Sequence, residues 1–318
     1  MRILLVKTSS LGDVIHNLPV VADIRNHFAD AQIDWVVEEN FAAIARLHPH
    51  VNRVFSVALR RWRNHLSSGA TWEQWCDFKR QLREQTYDFV IDTQGLLKSS
   101  IIARSVRGIR CGYDWSSARE PLASFAYQRK FSVAKNLHAV ERNRQLIAKA
   151  LGYEASGEPC YGLSAPAVAL DKALQAPYVV MLHATSRADK EWPEENWIAL
   201  GKGFAERGIM GVFPSGNPAE QERAIRLAQA IPNARSLPRG PIAEIAAYLS
   251  NAAAIIGVDT GLTHLACAFG KPTVALYCHS DPGLTGVYGS ARAVNLGGIG
   301  APPGVDAVLA AYARVSAS

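Results

Sequence analysis

Short apolar runs rich in β-branched residues recur along the chain, and each is followed by a segment with helical periodicity. The runs predicted as strands are RILLVK, IDWVVEE, VNRVFSV, YDFVIDTQ and GIRCGYD in the first half, and YVVMLHATS, GIMGVFPSG, AAIIGVDTG and PTVALYC in the second. The helical segments include WEQWCDFKRQLREQ, HAVERNRQLIAKALG, EENWIALGKGFAERG and PAEQERAIRLAQAI. Strands that are apolar throughout and alternate with helices are typical of parallel sheets covered on both faces. The sequence therefore predicts an α/β protein.

The length of the chain, 318 residues, allows two domains with a core each. The segment from Gly152 to Pro177 is rich in Gly, Pro, Ala and Ser, and we interpret it as a crossover between two Rossmann-like domains. We predict an N-terminal domain over 1–155 and a C-terminal domain over 156–300. A short helix in 301–318 follows, for which packing back on the N-terminal domain is left open. Two such domains facing each other would form a cleft from the carboxyl ends of their strands, where open parallel sheets bind ligands.

Composition narrows the class of protein. With 48% hydrophobic and 19% charged residues, the chain has the balance of a soluble globular protein. No apolar stretch approaches the about 20 residues of a membrane-spanning helix, and ILLV is too short for a secretory signal. The five cysteines are odd in number and form no C-x-x-C pair. This usage predicts a reducing cytoplasm and argues against a disulfide framework or a metal cluster.

The positive charge belongs to the first half of the chain. Residues 1–155 hold 22 Lys and Arg against 15 Asp and Glu, whereas residues 156–318 hold 12 against 13. A basic first half suggests an acidic partner there, or else a merely solubilising surface. Nucleic acid is not indicated, because the sequence contains no aromatic-interleaved basic strand and no recognition helix.

The most informative strand exit is GVDTGLTHLACAFGKP. Asp259, Thr260 and Gly261 form a turn before a helix predicted over 262–269, and His264 lies on its first turn. Free N–H groups and the positive dipole end at a helix start favour phosphate, and Gly261 allows close approach to the backbone. The alternative is an ordinary helix cap with an exposed histidine.

A second exit, HATSRADKEWPEENW, carries Thr185, Ser186 and Lys190 ahead of a helix that starts near Pro193. Two hydroxyls and an ammonium suit a diphosphate, since each donates hydrogen bonds and the lysine adds charge. Equally, Lys190 could be a surface lysine and Trp192 a packing residue.

The first exit, KTSSLGDVIHNLP, places Asp13 where a helix begins in the other predicted domain. An aspartate repels phosphate, but it suits a general base for an incoming hydroxyl, and the helix dipole would keep it ionised. Plain helix capping is the alternative. The sequence lacks a G-x-x-x-x-G-K-[ST] loop, a G-x-G-x-x-G after the first strand, a G-x-S-x-G elbow and an Asp-x-Asp pair. A metal-free site is therefore predicted, in which lysine and helix dipole neutralise a leaving diphosphate.

Taken together, VKTSSLGDVIHNLP, REPLASFAY, HAVER, HATSRADKEWPEENW and VDTGLTHLA resemble the lipopolysaccharide heptosyltransferases of glycosyltransferase family nine, over Met1 to about Tyr288. The resemblance implies a GT-B fold with the nucleotide sugar in the C-terminal domain. It implies inverting, metal-independent transfer of L-glycero-D-manno-heptose from ADP-heptose to the Kdo of Kdo–lipid A, by a protein peripheral to the cytoplasmic face of the inner membrane. The branch that adds the first heptose matches better than heptosyltransferase II.

The same resemblance assigns roles to residues. Asp13 takes the general-base role and Lys190 contacts the donor diphosphate; Glu220 matches a ribose-binding carboxylate and Gly240 a backbone contact to adenine. The remaining donor-contacting positions are Thr185, Ser186, Asp259, Thr260, Gly261 and His264. Ser186 stands where threonine is expected, which keeps the hydroxyl.

An acidic glycolipid acceptor would explain the surplus of positive charge in the first half of the chain. Arginine forks pair well with carboxylate and phosphate, so we predict an acceptor clamp. Its candidates are Arg60, Arg61, Arg63, Arg119, Arg142 and Arg144. A solvated loop around a packed Trp62 is the alternative, as is contact of Trp62 and Trp72 with the membrane surface. For the whole protein, the competing hypotheses are heptose transfer to another acceptor and a non-catalytic nucleotide-binding protein.

Overall fold

The computed structural model describes residues 1–65, 67–168 and 177–317. The chain divides into two compact units, Met1–Leu163 and Ser164–Ser318. This division falls inside the predicted crossover, of which residues 169–176 lie outside the described residues, as does residue 318 of the predicted C-terminal segment.

The first unit contains one parallel sheet. Its strands are β1 (Arg2–Val6), β2 (Gln32–Glu38), β3 (Val51–Val57), β4 (Phe89–Asp92), β5 (Ile109–Tyr113) and β6 (Arg129–Phe131). Its helices are α1 (Leu11–Ile15), α2 (Pro19–His27), α3 (Ala42–Ala45), α4 (Leu59–Arg63), α5 (Gly69–Arg83), α6 (Leu97–Arg104) and α7 (Ala139–Leu151), with 3-10 turns at Glu39–Phe41 and Pro121–Ala126. The strand order is β3-β2-β1-β4-β5-β6.

The second unit repeats this design. Its strands are β7 (Tyr178–Leu182), β8 (Met210–Phe213), β9 (Ala234–Ser236), β10 (Ala254–Val258), β11 (Thr273–Tyr277) and β12 (Ala293–Gly297). Its helices are α8 (Glu194–Ala205), α9 (Pro218–Ala230), α10 (Ile242–Asn251), α11 (Gly261–Ala268), α12 (Pro282–Thr285) and α13 (Val305–Ala317), with a 3-10 turn at Ala188–Lys190. The strand order is β12-β11-β10-β7-β8-β9, again all parallel.

Counted within each unit, both sheets follow the Rossmann strand order. The side on which successive strands are added therefore changes between β1 and β4 in one unit and between β7 and β10 in the other, while all strands stay parallel. Ligands of such sheets bind beside the carboxyl ends of the strands at this switch point. The predicted exits after β1, β7 and β10 all lie there. The fold thus places the candidate residues where this class of sheet binds ligands.

The last helix, α13, completes the core of the second unit. Val308, Ala311 and Val315 are buried in the same cluster as the perpendicular pair Trp192 and Trp197. The ring of Tyr312 on α13 also meets that of Phe204 on α8, with centroids 4.8 Å apart. The predicted C-terminal helix therefore exists and packs on the second unit.

All nine predicted strands and the four named helices are confirmed. The strands β6, β9 and β12 were not predicted. Each lies at an edge of its sheet, is short and partly exposed, and contains at least one polar residue. Edge strands of this kind lack the continuous apolar run by which a buried strand is identified in sequence.

Candidate active site

The turn after β10 is organised around the carboxylate of Asp259. Oδ2 of Asp259 accepts hydrogen bonds from Lys190 Nζ and from Ser280 Oγ, each at 2.6 Å. Its other oxygen, Oδ1, lies 3.7 Å from His264 Nε2. Thr260 forms the N-cap of α11 with extended backbone, so the start of the helix, where the first N–H groups have no acceptor within the helix, lies beside this carboxylate. The predicted exits after β7 and β10 therefore meet at the Asp259 carboxylate.

The Asp259 side chain is 11% exposed. Burial by itself raises the pKa of this carboxyl, but His264, Lys190 and Ser280 outweigh it and hold the pKa of Asp259 well below its usual range. Asp259 is consequently ionised at neutral pH. The lysine ammonium is thereby held in one place beside the N-terminus of α11.

The β7 exit supplies Lys190 from the 3-10 turn Ala188–Lys190. The hydroxyl of Thr185 donates to the Asp259 carbonyl at 2.9 Å, so its proton is used to fix the turn. Ser186 next to it is exposed. Trp192 is fully buried and donates from Nε1 to the carbonyl of Pro303, which confirms the packing interpretation of that tryptophan.

Sequence reasoning missed Ser280, which follows β11 and binds Asp259 directly. Nε2 of the neighbouring His279 lies 3.6 Å from Oδ2 of Asp189. The Asp189 carboxylate also pairs with Arg187. The position of Ser280 after a predicted strand could have indicated it, because β11 is adjacent to β10 and its exit opens at the same edge of the sheet. The predictions considered the exits of β7 and β10 but not the exit of β11.

Glu220 and Gly240 lie in other loops of the second unit. Glu220 accepts hydrogen bonds from the Gly216 N–H at 2.6 Å and from Asn217 Nδ2 at 2.7 Å, closing the start of α9. Gly240 is exposed before α10. A Cβ placed there would meet Glu244 Oε2 at 2.4 Å, which is the movable end of a side chain. Both assigned contacts remain predictions.

In the first unit, Asp13 lies on α1 directly after β1. Its Oδ2 accepts hydrogen bonds from the Ser10 N–H at 2.8 Å and from Ser10 Oγ at 3.0 Å, which forms a capping box. Asp13 therefore takes part in capping α1, as the third residue of the helix and not as the N-cap, which is Ser10. The Ser10 hydrogen bonds leave other acceptor sites of the Asp13 carboxylate available, because a carboxylate has about four such sites and this residue is partly exposed.

A buried polar group supports the loop that carries Asp13. Lys7 Nζ donates to the Thr93 carbonyl at 2.9 Å, and the Thr8 N–H donates to Gln94 Oε1 at 2.7 Å. Burial lowers the pKa of Lys7, although the nearby Asp13 and Asp92 raise it. Thr93 and Gln94 follow β4, so the two strands at the switch point hold each other's exits together.

Among the predicted acceptor arginines, α4 carries three. Arg61 is exposed and pairs with Glu39 through Nε and Nη2, at 3.2 and 3.0 Å. The guanidinium of Arg60 lies over the ring of Phe41, 5.2 Å from its centroid. Arg63 is exposed at the end of the helix. These three arginines keep their charges at the surface of the first unit.

The other three arginines differ from one another. Arg119 is exposed, and Arg142 donates to the Ser117 carbonyl at 2.7 Å with its guanidinium over Tyr113. The acceptor role predicted for Arg144 is corrected by the structure. Arg144 is 2% exposed, and all of its guanidinium nitrogens donate to groups of the same unit, Asp23 and Glu141 among them. It ties α2 to α7 and to the loop that follows.

Two further observations concern the described ranges 1–65, 67–168 and 177–317. In this part of the chain no group of three or more His, Cys, Asp and Glu side chains is placed to hold a metal ion. None of its helices combines the length and apolarity required to cross a bilayer.

Two Rossmann-like units, with a cation and a helix start at the switch point of the second, are typical of proteins that bind nucleotides, and comparison with known proteins gives the class of enzyme. The family model of glycosyltransferase family 9 (heptosyltransferase) matches residues 75–307. The chain belongs to this family, and its fold is of the GT-B type.

The curated relatives above 40% identity belong to one branch of the family. The lipopolysaccharide heptosyltransferase 1 of Pseudomonas aeruginosa is 49% identical over 301 residues, which are 93% of this chain and 84% of that protein. The structure of Escherichia coli heptosyltransferase WaaC with ADP has a TM-score of 0.91 and 40% identity, covering 99% of this chain and 100% of WaaC. The structure of WaaC with ADP-2-deoxy-2-fluoro heptose has a TM-score of 0.86 and 42% identity, covering 94% of each chain.

Proposed function

We propose that the protein transfers L-glycero-D-manno-heptose from ADP-heptose to the Kdo of Kdo–lipid A, the first heptose addition to the inner core of lipopolysaccharide. The observation that carries the proposal is the hydrogen bond from Lys190 to Asp259, a carboxylate that Ser280 also binds, at the start of α11. Membership of the heptosyltransferase family and similarity to a structure that contains an ADP-heptose analogue support it.

In this proposal the second unit binds the donor. Lys190 has three N–H donors, of which Asp259 takes one, and the others pair with the diphosphate. The free N–H groups at the start of α11 and the hydroxyl of Ser186 add hydrogen bonds to the phosphate oxygens. Glu220 binds the ribose hydroxyls, and the backbone at Gly240 passes the adenine. No metal is required, because the lysine and the helix dipole offset the charge of the leaving ADP.

The first unit supplies the base and the acceptor site. The Kdo hydroxyl attacks the anomeric carbon of the heptose as the bond from that carbon to the phosphate oxygen breaks. Asp13 takes the hydroxyl proton, and ADP leaves with the electron pair. The exposed Arg60, Arg61, Arg63 and Arg119, together with Arg142, pair with the carboxylates and phosphates of the acceptor. The enzyme acts at the cytoplasmic face of the inner membrane, where such a lipid is presented.

The test is a transfer assay with purified protein, ADP-heptose and Kdo–lipid A in the presence of EDTA, analysed by mass spectrometry. The proposal predicts an acceptor heavier by one heptose and an equal amount of ADP. A parallel reaction on acceptor that already carries one heptose separates this activity from that of heptosyltransferase II. An unchanged lipid mass in both reactions, with ADP still bound by the protein, would indicate the non-catalytic alternative. Product formed only after a divalent metal is added would contradict the metal-free mechanism.

A further inference from the structure

The first unit contains an apolar pocket whose apolar walls have no role in the proposal above. It is a cavity of about 420 Å³ between α4, α5 and α6. Trp62, Trp72, Trp75 and Ile101 form its apolar walls. Small-molecule sites have volumes of roughly 300–1,000 Å³, mostly apolar walls and a few placed polar groups. In size and lining, the apolar pocket belongs to this class.

The walls of the apolar pocket are partly rigid and partly exposed. Trp62 is 7% exposed, donates from Nε1 to Gln74 Oε1 at 2.7 Å, and meets Trp75 edge to face at 5.9 Å between centroids. By contrast, Trp72 and Ile101 are each 55% exposed. Large apolar side chains exposed together around a cavity mark a binding surface, because water contact with them is unfavourable.

Three cations line the same cavity, namely Arg60, Arg63 and Lys98. Apolar walls and cationic groups in one pocket complement an anionic amphiphile, whose tail is apolar and whose head group is acidic. Lys98 Nζ also donates to Ser9 Oγ at 2.8 Å. Ser9 belongs to the loop that leads into α1, the helix of Asp13, so the apolar pocket adjoins the proposed base through this lysine.

We propose that the apolar pocket binds one acyl chain of the acceptor glycolipid while Arg63 and Lys98 pair with acidic groups at its head. This inference rests on the proposed function, because it names a second part of the acceptor that the enzyme recognises. The acceptor is favoured over free membrane lipid because the pocket opens beside the Asp13 loop, where an acceptor head group has to be. Each methylene buried strengthens binding by about two- to fourfold.

The experiment compares two acceptors with the same sugars, Kdo–lipid A and its fully deacylated derivative, dispersed in one nonionic detergent. Trp72→Ala should raise KM for the acylated acceptor about tenfold and change KM for the deacylated acceptor by less than twofold. Ile101→Ser on α6 should have the same selective effect, which guards against a local folding defect in either variant. Trp115→Ala is the matched control, since Trp115 is 54% exposed but is not among the residues that line the pocket.

The outcomes separate the two proposals. If wild-type protein transfers heptose to neither acceptor, the proposed function fails. If it uses both acceptors and Trp72→Ala and Ile101→Ser leave both KM values unchanged, or raise both equally, the acyl-chain site is overturned and the function stands. A third arm measures binding to phosphatidylglycerol vesicles without acceptor. Loss of vesicle binding in Trp72→Ala with an unchanged KM in detergent would assign the pocket to bulk lipid instead.

Discussion

At the scale of the residue, Asp259 shows how a buried carboxylate prepares a cation for an anionic ligand. Asp259 remains ionised because its partners lower its pKa, and it holds Lys190 at 2.6 Å. Without it, a flexible lysine would lose side-chain entropy on binding a diphosphate. In the observed arrangement the Lys190 side chain is already ordered before the donor binds. The disadvantage is that the ligand must share the Lys190 ammonium with the Asp259 carboxylate.

Replacing Lys190 should therefore weaken nucleotide binding strongly. We expect Lys190→Met to reduce the affinity for ADP by about 10- to 100-fold, the usual effect of losing a charge-assisted hydrogen bond. Isothermal titration calorimetry measures it directly. Lys202→Met, at an exposed lysine on α8 of the same unit, should leave the affinity unchanged. An affinity of Lys190→Met within twofold of wild type would remove Lys190 from the donor site.

At the scale of the element, the junction of β10 and α11 depends on Gly257. A Cβ at this position would lie 2.2 Å from Thr263 Oγ1 and 3.0 Å from Leu182 Cβ. The Thr263 hydroxyl donates to the Val258 carbonyl at 2.7 Å, which holds the first turn of α11 against the end of the strand. The missing side chain thus allows the helix start to approach the sheet closely.

Two glycine substitutions in the second unit should consequently have opposite effects. Gly257→Ala should lower the free energy of unfolding by about 1–3 kcal/mol, because the methyl group overpacks this junction. Gly203→Ala should raise it by up to about 1 kcal/mol, since Gly203 lies within α8 and its Cβ would have no neighbour closer than 3.4 Å. Urea denaturation of both variants checks the prediction. Equal stabilities would show that the close approach at Gly257 is unimportant.

The alternation of apolar strands and helices predicted most elements, because buried parallel strands are apolar along their whole length. It could not predict β6, β9 and β12, whose short edge sequences have no such run. The same reasoning located Asp259 and Lys190 at strand exits, but it missed Ser280 because contacts between exits depend on which strands are neighbours. It also assigned Arg144 to the acceptor, since burial of a charged side chain cannot be recognised from residue type.

At the scale of the whole molecule, the protein contains two sheets of the same strand order with different chemistry at their switch points. In the first unit an aspartate follows β1, and the surface carries the positive charge of the chain. In the second unit a lysine and a helix start follow β7 and β10. In the proposed function, the residues of the first unit serve the acidic acceptor and those of the second unit serve the nucleotide sugar.

The central claim is therefore that Asp13 takes part in catalysis but not in donor binding, and turnover of Asp13→Asn against its affinity for ADP-heptose tests it most directly. Asparagine can still accept the Ser10 hydrogen bonds, so the cap of α1 should survive. Asp30→Asn, at an exposed position of the same unit, serves as control. We expect turnover lower by about 10²–10⁴-fold and donor affinity within twofold of wild type. Near-normal turnover, or loss of donor affinity in proportion to turnover, would contradict it.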